Sequence, residues 1–382
     1  MTDINNITEN EYAHWLFSIP GLGNRSIDKL LCNGMTCREI YEANSKEFKG
    51  ILTEKQIKSL EQYRRCWDFE KEAAKLAKKN ISFISRIDER FPEKLKNIPD
   101  PPFALYVKGQ LPDPEKPSVA IIGARMCSEY GRYMARSFGR GLALAGVQVI
   151  SGMARGVDGI SQKAALAAGG RSFGIVGSGV DVCYPEENLD VYNDLCACGG
   201  VISEFPPGTF PKAAFFPMRN RIISGLADVV LVIEAREKSG TQITVDTALE
   251  QGREVLAVPG RVTDRLSDGC NLLISQGAGV AIGVEDVLER IWDVKKQKTA
   301  DKAVNKADCL SECDKQGREE EKSMDERILE CIDIIPISSS QIMEQLQRDE
   351  IDISFPQLLG KLMDFIHQGF VIQEGSYFRK KC

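Results

Sequence analysis

Between residues 119 and 258 the chain repeats one pattern: a short, nearly continuous apolar run, then a longer amphipathic stretch. The apolar runs fall at 119–122, 147–150, 172–176, 201–203, 229–233 and 254–258. Runs this short and this uniformly apolar predict strands buried on both faces of a mainly parallel sheet. The stretches between them, such as 129–145 and 161–168, carry helical periodicity. Alternating strand and helix predicts an α/β domain with helices on both sides of the sheet, over about 106–293. Right-handed crossovers would bring every strand-end loop to one edge, which is a Rossmann-like layout.

The flanks follow other patterns. Residues 1–68 read as a helical module. One apolar-periodic segment covers 10–18, and a Pro20-Gly21-Leu22-Gly23 turn opens a helix that carries Arg25 and Lys29. Glycines in such a turn let backbone approach a ligand, and amides at a helix start attract phosphate, so the turn resembles that of SAM or helix-hairpin-helix modules. An ordinary helical turn explains it equally. Residues 69–105 read as a connecting region with a charged helix near 70–79 and a short strand near 80–85. The cluster Ile98-Pro99-Asp100-Pro101-Pro102 closes it. Residues 294–322 are polar, charged and free of aromatics, which is the composition of a flexible linker. From 323 to 382 a small domain resumes. Three helices are expected over 325–333, 341–346 (capped by Ser338 or Ser339) and 355–368, with a hairpin turning at Glu374-Gly375. Three helices and a terminal hairpin make a winged-helix pattern.

Composition narrows the chemistry. The formal net charge of −6 argues against a broadly basic nucleic-acid coat but leaves room for a focused basic patch. Twelve cysteines scattered over 382 residues suit reduced thiols better than a disulfide scaffold. The N-terminus lacks a signal-peptide pattern, and no apolar stretch reaches about 18 residues, so a cytoplasmic protein with no membrane partner is expected. The only histidines are His14 and His367, each beside an apolar or aromatic neighbour, and Cys309-x3-Cys313 has no partner pair, so no metal site is expected.

The strand-end loops hold the candidate chemistry. Gly123-Ala124-Arg125, Gly152 with Arg155, and Gly177-Ser178-Gly179 combine exposed amides with isolated arginines. Lys238-Ser239-Gly240-Thr241 forms another anion nest at a helix start. The run Phe215-Phe216-Pro217-Met218-Arg219-Asn220-Arg221 places two guanidiniums in an apolar setting, where each needs an anionic partner, and phosphate is the natural one. If the run is extended, Phe215 and Phe216 face opposite ways. Arginine supplies 13 of the 18 cationic residues over 106–293. Interleaved rings and guanidiniums suit a splayed single strand, or equally one nucleobase. Neither G-x-G-x-x-G nor a P-loop occurs. Asp158, Glu204, Glu234 and Asp246 are candidate bases, read as structural carboxylates. The central domain has no histidine, which removes His-dependent acyl transfer.

These motifs, with Val258-Pro259-Gly260, occur in the order found in the bacterial DNA-processing protein A family (DprA, also called Smf), and the central domain as a whole resembles it. The resemblance implies a non-enzymatic single-stranded DNA binder with a dimeric Rossmann-like core. Such a protein uses no cofactor and loads the recombinase RecA in transformation and recombination. It implies DNA contacts for Arg125, Arg155, Lys212, Phe216, Arg219, Asn220, Arg221, Lys238, Ser239, Gly240 and Thr241. Ser161-Gln162 stand where the family commonly has Ala-His, which an arginine-based site does not require. An enzyme cleaving N-glycosidic bonds of nucleotides and a small-nucleotide sensor are the competing functions.

Overall fold

The structure, a computed structural model, describes residues 7–294, 328–329, 331–332, 337–348, 353–367, 370–374 and 377–380. The chain divides into two compact units, Met1–Asn305 and Lys306–Cys382. The expected linker, apart from Val294, lies outside the described residues, as does the turn after Glu374 and most of the helix expected over 325–333.

The first unit opens with helices α1 (Glu9–Phe17), α2 (Asn24–Leu31), α3 (Cys37–Glu42), α4 (Glu54–Cys66) and α5 (Phe69–Lys78). Capping boxes at Thr8, Thr36 and Thr53 define the starts of α1, α3 and α4. Tyr12, Trp15, Ile27, Leu30, Ile40 and Phe48 form a core that continues into Phe83 and Tyr106 of the sheet. The helical module is therefore packed on the sheet edge. His14 sits there among rings, 4.6 Å from Phe83 and 5.3 Å from Trp67 between centroids.

Nine strands form the sheet: β1 (Ile81–Ser85), β2 (Ala104–Gly109), β3 (Ser118–Ile122), β4 (Gln148–Ser151), β5 (Ser172–Ile175), β6 (Gly200–Ser203), β7 (Val229–Val232), β8 (Glu254–Ala257) and β9 (Gly279–Val280). Their spatial order is β1-β2-β6-β5-β4-β3-β7-β8-β9. The ladder from β6 to β9 is parallel. Strands β1 and β2 add an antiparallel edge, β2 pairing with β6. The sequence pattern did not signal β2, whereas β1 falls at the short strand expected in the connecting region, and the short helix α6 (Glu93–Lys96) lies between the two.

The parallel strands from β6 to β7 are buried on both faces, as their uniform apolarity requires, and β8 is buried apart from Glu254. In β3, Val119 and Ile121 join a core with Phe138 and Leu142 of α7 (Glu129–Leu144), Ala165 of α8 (Val157–Ala167), and Val287 and Ile291 of a helix over 284–294. Ala120 and Ile122 face the other side. There they meet Ile222 and Leu226 of α10 (Phe215–Leu226), Val245 of α11 (Gly240–Glu250) and Leu273 of α12 (Asp268–Ser275). Helix α9 (Leu189–Cys198) precedes β6.

The condition of an extended run is not met: Phe215 and Phe216 begin α10. No side chain caps this start, and Pro217 sits in the first turn, where its missing N–H costs nothing.

In the second unit, helices over Ser339–Arg348 and Phe355–His367 pack with a three-stranded sheet of Ile337–Ser338, Tyr377–Lys380 and Val371–Glu374, in that spatial order. Ile342, Leu346, Leu358, Leu362, Phe365, Val371 and Phe378 are buried. Ser338 and Gln341 cap the first helix reciprocally.

Candidate functional site

The chain runs outward from β3 through β4, β5 and β6, then returns to place β7 on the other side of β3. Strand order reverses between β3 and β7, and the crevice at their carboxyl ends is where this architecture binds ligands. A cavity of about 790 Å³ opens there. It is walled by Gly123–Met126 after β3, by Phe216, Arg219 and Asn220 of α10, and by Arg236 and Ser239–Thr241 before and within α11.

Phe216 lines the cavity, half-buried. The Arg125 guanidinium lies 5.5 Å from its ring centroid and that of Arg219 lies 5.9 Å away. Both are within cation–π range. Tyr184 packs beside it at 5.8 Å. Arg125 is exposed, whereas Arg219 is only 5% exposed. Nη1 of Arg219 donates to the carbonyl of Gly152 at 2.6 Å and to that of Ile175. Its Nε has no partner among the described residues. Burial pushes Arg219 down to about 10, against the opposing pull of Asp158, which leaves it charged near neutrality. Asp158 is itself buried, and burial raises its carboxyl above the usual range, against Arg219 and the Gly152 N–H it accepts at 3.1 Å. Gly152 leaves room for this pair: a Cβ would lie 2.5 Å from Nη1 of Arg219 and 2.7 Å from Oδ2 of Asp158.

The opposite wall is the start of α11. Ser239 precedes it in extended conformation, but its hydroxyl makes no capping bond and is buried without a partner among the described residues. The first amides of the helix carry its positive potential, and an anion is the ligand they accommodate.

The expected site residues divide. Arg125, Phe216, Arg219, Asn220, Ser239, Gly240 and Thr241 line the cavity. Lys238 is exposed and outside the lining. Lys212 is exposed over the Phe215 ring at 5.5 Å, between the lining residues Pro211 and Ala213. Phe215 stacks on Phe205 at 4.2 Å. Arg155 lies outside the lining and pairs with Glu187 at 2.5 Å on the surface.

Arg221 corrects the expectation of a guanidinium in need of an external anion. Its Nη2 donates to both oxygens of Glu204, at 2.7 and 2.9 Å, and Nε donates to Asp100 at 2.8 Å. Asn24, the first residue of α2, donates to the same Glu204 carboxylate at 2.7 Å. Burial would lower Arg221, but Glu204 and Asp100 hold it above its ordinary value. The protein supplies its counter-charge. Gln162 is buried as a bracket, accepting from Met153 N–H and donating to the Phe173 carbonyl. Arg236 and Tyr184 line the cavity without having been expected as site residues: Arg236 stands two positions before Lys238, and Tyr184 lies in the motif 177–185.

Of the four carboxylates considered as bases, Asp158 faces Arg219, Glu204 pairs with Arg221, and Glu234 accepts from the Ser128 amide at 2.9 Å. Asp246 accepts from Gln242. Among the described residues no cluster of His, Cys, Asp and Glu could hold a metal, and no helix is long and apolar enough to cross a membrane.

Fold and crevice together define a doubly wound α/β protein whose switch point is lined by arginines and a helix start. The family model of DNA recombination-mediator protein A matches residues 82–292, and the chain belongs to that family. DNA processing protein DprA of Bacillus subtilis is 39% identical over 220 residues, 57% of this chain and 74% of that protein. DprA of Streptococcus pneumoniae is 40% identical over 222 residues, 58% and 78% of the two chains. Protein Smf of Escherichia coli is 36% identical over 272 residues, 70% and 73%. The X-ray structure of S. pneumoniae DprA superposes with a TM-score of 0.64 at 34% identity, covering 74% of this chain and 98% of that one. A Helicobacter pylori DprA structure, described by its single-stranded DNA binding mode, gives 0.50 at 28% identity, covering 56% and 96%.

Proposed function

We propose that this chain binds single-stranded DNA in the switch-point crevice and acts as a non-catalytic mediator that delivers the strand to RecA. The observation that carries the reading is Phe216 beside the guanidiniums of Arg125 and Arg219, in one crevice with the first residues of α11. A ring of this kind stacks a base, and Arg125 with the helix start holds the neighbouring phosphates. The H. pylori relative described as binding single-stranded DNA supports the assignment. The carboxylates that could serve as a base are engaged within the protein, which favours holding a strand over cleaving a nucleotide.

The protein works as a cytoplasmic homodimer in this reading, and its C-terminal unit is a winged-helix-like accessory module. Lys212, Lys238 and Arg155 sit outside the cavity lining and guide the strand at its mouth. An anisotropy titration at several salt concentrations, comparing oligothymidylates, duplex and mononucleotide, tests the binding. Affinity should rise with strand length and fall with salt, each held phosphate contributing a slope of about 0.7. Saturation by mononucleotide with no gain from longer strands would instead make the protein a small-nucleotide sensor. Faster nucleation of RecA on single strands in the presence of the protein is the expected sign of mediation, and unchanged nucleation would remove that role.

A further inference from the structure

The outer face of α7 carries a row of arginines that the crevice does not use. Arg132, Arg136 and Arg140 recur every four residues and are all exposed, while Ala135, Phe138 and Leu142 turn inward. Four helical residues advance about 6 Å, on the order of the separation of successive backbone phosphates. Arg132 reaches only Glu129 at 3.3 Å, whose side chain is 96% exposed, so that pair contributes little. Arg136 and Arg140 have no ion pair or side-chain hydrogen bond among the described residues. Like charges at this spacing weaken a helix. Tyr133 stands beside the row, 65% exposed.

The row begins at the crevice. Helix α7 is capped by Ser128, three residues beyond Arg125, and the intervening Met126 lines the cavity while 86% exposed. A strand leaving Phe216 past Arg125 meets this face next. Uncompensated guanidiniums interleaved with an exposed ring are what a single strand requires.

We propose that the outer face of α7 is a second nucleic-acid subsite, in which Arg132, Arg136 and Arg140 hold successive phosphates of a single strand emerging from the crevice and Tyr133 stacks one base. The proposal rests on the crevice being the primary strand site. It makes the length dependence of binding a property of α7.

The test combines Arg132→Gln, Arg136→Gln and Arg140→Gln in the full chain, with a matching triple lysine variant. Anisotropy is read with oligothymidylates of about six and about thirty nucleotides, and with a duplex of the longer length, over a range of salt. The glutamine variant should bind the short strand as wild type does. It should bind the long strand roughly tenfold to a hundredfold more weakly near 0.1 M salt, with a salt slope lower by about 2. The lysine variant should keep the wild-type slope, which ties the loss to charge. Wild-type affinity and slope for the long strand in the glutamine variant would overturn the proposal, as would a loss confined to duplex. Failure of wild type to bind the short strand would contradict the crevice reading instead.

Discussion

Arg221→Ala separates a strut from a phosphate ligand. Arg221 and Glu204 are each 7% exposed and joined by two hydrogen bonds of 2.7 and 2.9 Å. Removing the guanidinium leaves Glu204 buried with only the Asn24 amide at 2.7 Å. Asp100 loses its partner as well, but its side chain is 61% exposed and rehydrates at little cost. Breaking one side of a buried pair costs about 3–5 kcal/mol, and retention of Asn24 favours the lower end, about 3 kcal/mol. Urea unfolding followed by tryptophan fluorescence should show this as a lowered midpoint. Glu204→Gln in the same chain should recover roughly 1–2 kcal/mol, because a neutral amide is less costly to bury. Single-strand affinity of the folded fraction should fall by less than about tenfold. A variant that unfolds as wild type does, yet loses binding a hundredfold or more, would show that Arg221 contacts phosphate and would refute the strut.

Gly152→Ala drives a methyl into Arg219 and Asp158 and should cost about 2–4 kcal/mol in urea stability; wild-type stability would mean that the two side chains yield freely. Gly240→Ala meets no atom within 4 Å, so it should leave stability nearly unchanged while its methyl weakens strand binding at the α11 amides; unchanged binding would remove α11 from the site. Burial among rings pushes His14 down to about 4, below the value near 6.5 expected in the unfolded chain. The unfolded chain therefore takes up a proton that the folded chain refuses as pH falls from about 6.5 towards 4. This contribution is intact above that window and amounts to a loss of about 2 kcal/mol by pH 5. His14→Phe should flatten the pH dependence of the urea midpoint there, and an identical pH profile in the variant would contradict the assignment.

Much of the fold is legible in the chain because the parallel strands are buried on both faces. The apolar runs of β3 and β7 have no polar position to give up, so their place in the sheet interior follows from composition alone. The convergence of Gly123-Ala124-Arg125, Phe216, Arg219 and Ser239-Gly240-Thr241 is legible for the same reason, since parallel strands deliver their loops to one edge. What the sequence conceals is pairing over distance. Arg221 finds Glu204 and Asp100 through folding, and no local pattern distinguishes it from Arg219, two positions away. The start of α10 is hidden because Ala214 offers no cap and Pro217 reads as a break. Strand β2 is hidden because it follows a proline cluster that reads as a boundary. Arg155 is a further case of pairing over distance: it meets Glu187 on the surface, 32 positions along the chain.

The central claim is that a single strand lies in the switch-point crevice against Phe216. Ultraviolet crosslinking of the full chain to an oligothymidylate, followed by peptide mapping, tests this most directly. The crosslinks should fall on Phe216 and Tyr184 and disappear in Phe216→Ala, whose affinity should drop by the roughly 1–3 kcal/mol of one base stack. Crosslinks confined to other surfaces, with Phe216→Ala binding as tightly as wild type, would contradict it.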